Sequence, residues 1–174
     1  VDYTECQLAF GYSLGEITAL VAAGTISFAD ALAVPLLVSE DCVVLSEDVT
    51  LGVLFSREET IDRQEVDRAL IIVNQQDHGV VGISAELSPN TLLLMGQSDT
   101  LERLRDILCE DKPRHVVLRK NKESWPPLHS PIMWQRNIPN RSAQAMLTIS
   151  SGNAAPSFPV LSLVTGGMDY TESN

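Results

Sequence analysis

Gly11-Tyr12-Ser13-Leu14-Gly15 sets one hydroxyl between two glycines in the pattern G-x-S-x-G. An apolar run, 6–11, precedes it, and a helix-patterned stretch, 14–23, follows directly. Glycines on either side permit a strained strand-to-helix turn and let the helix approach the strand, so the serine oxygen is presented outward. Such a serine can attack an acyl carbon, with the backbone N–H of Leu14 and the helix N-terminus facing the developing oxyanion. A hydroxyl needs a base, and there are three histidines. His78 stands in the polar Gln75-Gln76-Asp77-His78-Gly79 and reads as a solvated loop residue. His115, beside Arg114, reads as an edge or core residue of a strand. His129 lies among Pro126, Pro127 and Pro131, which fix the backbone and would hold an imidazole at low entropic cost. From the residues alone, a structural and a catalytic reading of His129 both stand.

The elements that must position these groups follow from period and punctuation. Residues 6–11 read as a buried strand and 14–23 as a helix, with Gly24 in the position past its end where positive φ is easiest. Ser27-Phe28-Ala29-Asp30 has capping-box form, and apolar residues continue to Leu45 with a kink or break expected at Pro35. Strands are expected at 51–55, 80–87, 91–95 and 115–119, and helices at 65–73 and 99–108. Their order, β-α-β-β-α-β, is that of a ferredoxin-like module. Beyond Lys122 the chain is Pro-rich, with a helix expected near 137–149 and an apolar strand at 160–164. The fold class is α/β, with the ferredoxin-like module, 50–122, inserted between two pieces of another α/β unit, 1–49 and 123–174.

Composition narrows the partners. The chain has 174 residues and a formal charge of −11, which argues against nucleic acid as a ligand. No apolar run approaches the roughly 20 residues that a membrane-spanning helix needs. Cys6, Cys42 and Cys109 are an odd number without metal-ligand spacing, so neither a disulfide framework nor a metal site is expected, and a reducing cytoplasmic compartment is the simplest setting. The charge is uneven: residues 112–141 hold seven basic side chains and one acidic in an otherwise acidic chain. Lys112, Arg114, Arg119, Lys120, Lys122, Arg136 and Arg141 therefore flank His129, where they could steer an anion or form a solvated face. Trp125 and Trp134 bracket the same histidine and suit either core packing or the wall of an apolar tunnel.

The stretch 11–32, GYSLGEITALVAAGTISFADAL, closely resembles the nucleophile segment of malonyl-CoA:acyl carrier protein transacylases and polyketide-synthase acyltransferase domains. PPLHSPIM, 126–133, resembles their histidine signature, 85–96 resembles the strand–turn–strand of their ferredoxin-like subdomain, and 159–166 resembles a strand near their C-terminal part. The resemblance implies an α/β-hydrolase-like acyltransferase core with the ferredoxin-like subdomain inserted. It implies an acyl-carrier-protein S-acyltransferase of fatty-acid or polyketide synthesis, using acyl-CoA as substrate and no cofactor. Ser13 would form an acyl-serine with His129 as base, Leu14 would supply an oxyanion N–H, and an acyl carrier protein would take the acyl group. The charge of 112–141, if not simply a solvated face, could steer that carrier protein.

Two departures bear on the substrate-binding positions. Tyr12 stands where the family usually has histidine before the nucleophile. Val38 falls where the family has the arginine that pairs with the malonyl carboxylate, and a carboxylate without such a partner is costly to bury. A neutral acyl group suits Val38 at least as well. A serine hydrolase using the same pair, and a non-catalytic acyltransferase-like domain, are the competing expectations. The family's glutamine-bearing segment before the nucleophile and its closing segment are not in these residues, so a fragment is expected.

Overall fold

The computed structural model describes residues 5–57, 59–110, 115–150, 152 and 154–170. The chain divides into two compact units, residues 1–38 with 140–174, and residues 39–139. Helices α1 (Leu14–Ala22) and α2 (Phe28–Leu36) belong to the first. The second holds α3 (Ser39–Ser46), β1 (Val49–Phe55), α4 (Arg63–Asn74), β2 (Val81–Ser88), β3 (Thr91–Gln97), α5 (Thr100–Leu108) and β4 (Val117–Ser124). A kinked 3-10 segment, Pro131–Asn137, and helix α6 (Ile138–Met146) follow.

The second unit is a four-stranded antiparallel sheet in the order β2-β3-β1-β4. The expected alternation of strands and helices between 49 and 124 is present in the expected order. Helix α4 starts where Asp62 accepts from the N–H groups of Gln64 and Glu65, and its last residue, Asn74, bonds both backbone groups of Val81 at the head of β2. Leu101, Leu104 and Leu108 fall at helical spacing along α5, and Val66, Ala69 and Val73 along α4. These two faces bury Leu54, Val81, Leu92 and Leu94 of the sheet into one core. The close approach of α5 needs glycine on the strands, since a Cβ on Gly96 would lie 2.6 Å from Thr100 Oγ1 and one on Gly52 would lie 3.0 Å from Leu101.

The first unit has a smaller core: Ala19, Ala23, Phe158 and Val160, with Cys6, Ala9, Leu20 and Tyr170 against it. The expected strands at 6–11 and 160–164 are shorter than their apolar runs suggested. Among the described residues they meet in one isolated parallel bridge, Ala9 with Val160. The kink or break expected at Pro35 within the helical stretch from Ser27 to Leu45 is present: Ser27 caps α2 by accepting from the Asp30 N–H, and the chain breaks at Leu37 and Val38 just after Pro35, before α3. The last expected strand begins later and runs further, at Val117–Ser124, because it pairs along β1.

Leu104 is fully buried between the helices and the sheet, whereas Ile71 on α4 is 56% exposed. Leu104→Ala should cost about 2–5 kcal/mol in urea unfolding, and Ile71→Ala under about 1 kcal/mol. Equal losses would contradict this division between core and surface.

Candidate functional site

The G-x-S-x-G turn is built as its sequence requires. Ser13 has φ 55° and ψ −116°, a backbone that a side-chain-bearing residue adopts only when its surroundings impose it. The turn closes through Gly15 N–H donating to the Tyr12 carbonyl at 2.8 Å and Glu16 N–H donating to the Ser13 carbonyl at 3.0 Å. A Cβ on Gly11 would stand 2.2 Å from the Gly15 carbonyl carbon, so only glycine fits there. Gly15 is different: a Cβ on it would meet nothing within 4 Å. The close approach thus rests on Gly11 alone. Tyr12, Ser13 and Leu14 are exposed. Leu14 is the first residue of α1, where backbone N–H groups have no acceptor within the helix.

Both flanks of this turn are tied to one segment. Before it, Ala9 N–H donates to Pro159 O and Leu161 N–H donates to Ala9 O, both at 2.9 Å. After it, the buried Glu16 accepts from the Leu163 N–H at 3.1 Å and from the Tyr170 hydroxyl. Burial pushes the Glu16 carboxyl up, but the bonds from Tyr170, Leu163 and Ser162 outweigh it and hold the group below its ordinary 4.5. Burial and the bond to Glu16 hold the Tyr170 phenol above 10.0.

His129 lies in the second unit, also with left-handed backbone, φ 56°. Its turn is seated on β2. The Ser84 hydroxyl donates to the carbonyl of Leu128 at 3.0 Å, and the Ser130 hydroxyl donates to that of Pro127 at 2.6 Å. Pro131 lies directly over Gly82, where a Cβ would be 2.2 Å from its Cδ. Gly82 and Ser84 alternate with Val81 and Ile83, which face the helices, so the turn occupies the opposite face of the sheet. Gln135 reaches back to Gln97 at 2.9 Å and secures the far end of the segment.

His78 sits in an exposed loop whose carbonyl accepts from Arg103 at 3.0 Å, and His115 is half-buried just before β4. Val38 is half-buried in the break between α2 and α3. Within the basic stretch, Lys120 pairs with Glu102, Arg136 approaches Asp41 at 4.0 Å, and Arg119 lies 5.5 Å over the Phe55 ring. Lys122 is exposed, Arg141 is held by a partner, and Lys112 and Arg114 lie outside the described residues. Trp134 is 76% exposed and Trp125 is 42% exposed, so neither is a core residue of the described fold. Among the described residues no cluster of His, Cys, Asp and Glu could hold a metal ion, and no helix is long and apolar enough to cross a membrane.

Sequence reasoning missed Gly82, Ser84, Glu16 and Tyr170. Gly82 had a usable signal, since a glycine inside a strand marks a close approach. Glu16 had one too, as an acid on the face of α1 that carries Ala19 and Ala23.

No family model matches the chain. A 6-methylsalicylic acid synthase of Arthrobotrys oligospora is 26% identical over 156 residues, covering 88% of this chain and 8% of the synthase. An acyl-carrier-protein S-malonyltransferase of Bartonella henselae aligns over 99% of this chain and 52% of its own, at TM-score 0.73 and 20% identity. A loading acyltransferase of the avermectin modular polyketide synthase aligns over 91% of this chain and 46% of its own, at TM-score 0.65 and 25% identity. Malonyl-CoA:acyl carrier protein transacylases and polyketide-synthase acyltransferase domains are therefore the structural neighbours of this chain, whose α/β fold is similar to theirs. The chain spans about half the length of these solved structures.

Two measurements test the turn. Glycine relieves left-handed strain and alanine does not, so Ser13→Gly should be about 1 kcal/mol more stable than Ser13→Ala by urea unfolding. Equal stability would mean that φ at Ser13 is not positive in solution. Glu16, held low when folded, contributes stability that is fully present above its unfolded value of 4.5 and is lost as pH falls through its folded value. The stability gap between the native protein and Glu16→Gln should therefore narrow as pH falls from about 6 to about 3. A gap that widens toward acid would reverse the sign argued for this carboxylate.

Proposed function

We propose that this chain carries the serine and histidine of an acyltransferase that moves an acyl group from coenzyme A to an acyl carrier protein in fatty-acid or polyketide synthesis. The observation that carries this reading is the G-x-S-x-G turn at Ser13, with φ 55° and ψ −116° and with Gly11 closed on Gly15. Strain of this kind persists where the surroundings over-determine it, and it clusters at reacting groups. The left-handed His129, between Ser84's bond to Leu128 and the Pro131–Gly82 contact, supports it independently. The transferase neighbours favour transfer over hydrolysis.

In this mechanism His129 takes the Ser13 proton as the oxygen attacks the thioester carbon. The Leu14 N–H and the α1 N-terminus stabilise the tetrahedral oxyanion. Collapse expels the coenzyme A thiolate, which receives the proton from His129. The phosphopantetheine thiol of the carrier protein then gives its proton to His129 as its sulfur attacks the acyl-serine carbon. Collapse breaks the bond to the Ser13 oxygen, which takes that proton from His129, and the acyl group stays on the carrier thiol. We read the sheet of the second unit as a ferredoxin-like subdomain inserted in an α/β-hydrolase-like core, supported by its element order and its strand order. A neutral acyl group suits Val38 at least as well as malonyl, and Tyr12, next to Ser13 in sequence, is the second substrate-binding position we assign. Lys122 is the exposed candidate for steering the acidic carrier protein, because Lys120 is engaged with Glu102. The setting proposed is cytoplasmic.

Incubating the full-length protein with acetyl-, propionyl- and malonyl-CoA and following intact mass tests this reading. The expected result is an acyl adduct, absent in Ser13→Ala, that passes to carrier protein. Free acid in place of acylated carrier would identify a hydrolase, and no adduct with any thioester would leave a non-catalytic domain. Val38→Arg should raise the preference for malonyl-CoA about 10- to 100-fold, the worth of a charge-assisted bond. An unchanged preference would remove Val38 from the acyl site.

A further inference from the structure

We propose that Glu16 is a positioning residue for Ser13, its carboxylate fixing the trailing half of the strained turn to the 162–170 segment. The inference rests on the acyl-serine reading and adds to it a residue outside the Ser–His pair. The turn at Ser13 has two ends. The leading end is held by main-chain bonds, Ala9 to Pro159 and Leu161 to Ala9. The trailing end is the first turn of α1, where Glu16 bonds to the same segment of chain, which further along the helix packs on Ala19 and Ala23. Glu16 Oε2 accepts the Leu163 N–H, and Oε1 accepts the Tyr170 hydroxyl.

The two ties act on opposite sides of the one residue with ψ −116°. A turn held at one end only can relax by rotating the first residues of the helix, which turns the serine oxygen and the Leu14 N–H together. A turn held at both ends cannot. Glu16 is well suited to the task because it is 8% exposed, so its bonds face little competition from water. It also places a negative charge in the first turn of α1, where the helix field favours one. The Glu16 carboxylate touches neither substrate nor reacting atoms in this account; it acts through the backbone.

The test uses the full-length protein and a fluorophosphonate probe that phosphonylates an activated serine. Glu16→Ala should lower the rate constant for labelling Ser13 about 10- to 100-fold, the cost of a displacement on the order of 1 Å. In acyl transfer, kcat should fall by the same factor with KM for acyl-CoA little changed. Glu16→Gln, which keeps one acceptor oxygen, should recover part of the loss. A change that only loosened the fold would reduce the fraction of protein labelled, leaving the rate constant of the folded fraction unchanged, and that result would overturn the proposal. Should Glu16→Ala fail to fold, Tyr170→Phe removes one donor and leaves the carboxylate in place. Its labelling should slow about threefold or more, and an unchanged rate there also overturns the proposal. Native protein that the probe does not label at Ser13 would instead overturn the acyl-serine reading itself.

Discussion

Holding Ser13 at φ 55° and ψ −116° is the constraint around which the first unit is arranged. Such a conformation is worth on the order of 1–3 kcal/mol of strain, which other contacts must offset. Main-chain bonds from 159 and 161 secure Ala9, the packing of Gly11 on Gly15 closes the turn, and α1 begins immediately after it. The small core of Ala19, Ala23, Phe158 and Val160 holds the helix against the same segment. None of these features is large. Together they leave the serine with one backbone geometry at an exposed position.

The second unit solves a related problem with different means. Its sheet buries one face under α4 and α5, through leucines and valines of ordinary kind. The other face of β2 carries the turn that contains His129. A glycine makes room for Pro131 and a serine hydroxyl satisfies the carbonyl of Leu128. The prolines limit how the segment can bend, and the sheet decides where it lies. Stiffness without a seat would leave a histidine rigid but unplaced.

Local sequence carried some of this and not the rest. The serine turn was legible because its requirements fall within five residues: a glycine where no Cβ fits, and a helix starting after the serine. The alternation of elements from 49 to 124 was legible because period and turn residues mark each boundary. The apolar runs at 6–11 and 160–164 misled, since an apolar run becomes a strand only as far as a partner pairs with it. Among the described residues that pairing is confined to Ala9 and Val160. The seat of His129 was beyond local reading, as Ser84 and Leu128 are 44 residues apart. Glu16 needed Tyr170 and Leu163, which no local pattern connects to it.

The basic stretch that first drew notice for its charge acquires another meaning from the strand order. β4 is an outer strand of the sheet, and it carries Arg119, Lys120 and Lys122. An outer strand offers unpaired backbone groups to any extended chain that meets it, and closely set positive charges discourage a second copy from docking there. Charges of this kind on an outer strand disfavour its pairing with the edge of a second copy. Replacing them with apolar residues would leave an outer strand with the sequence character that favours edge-to-edge aggregation.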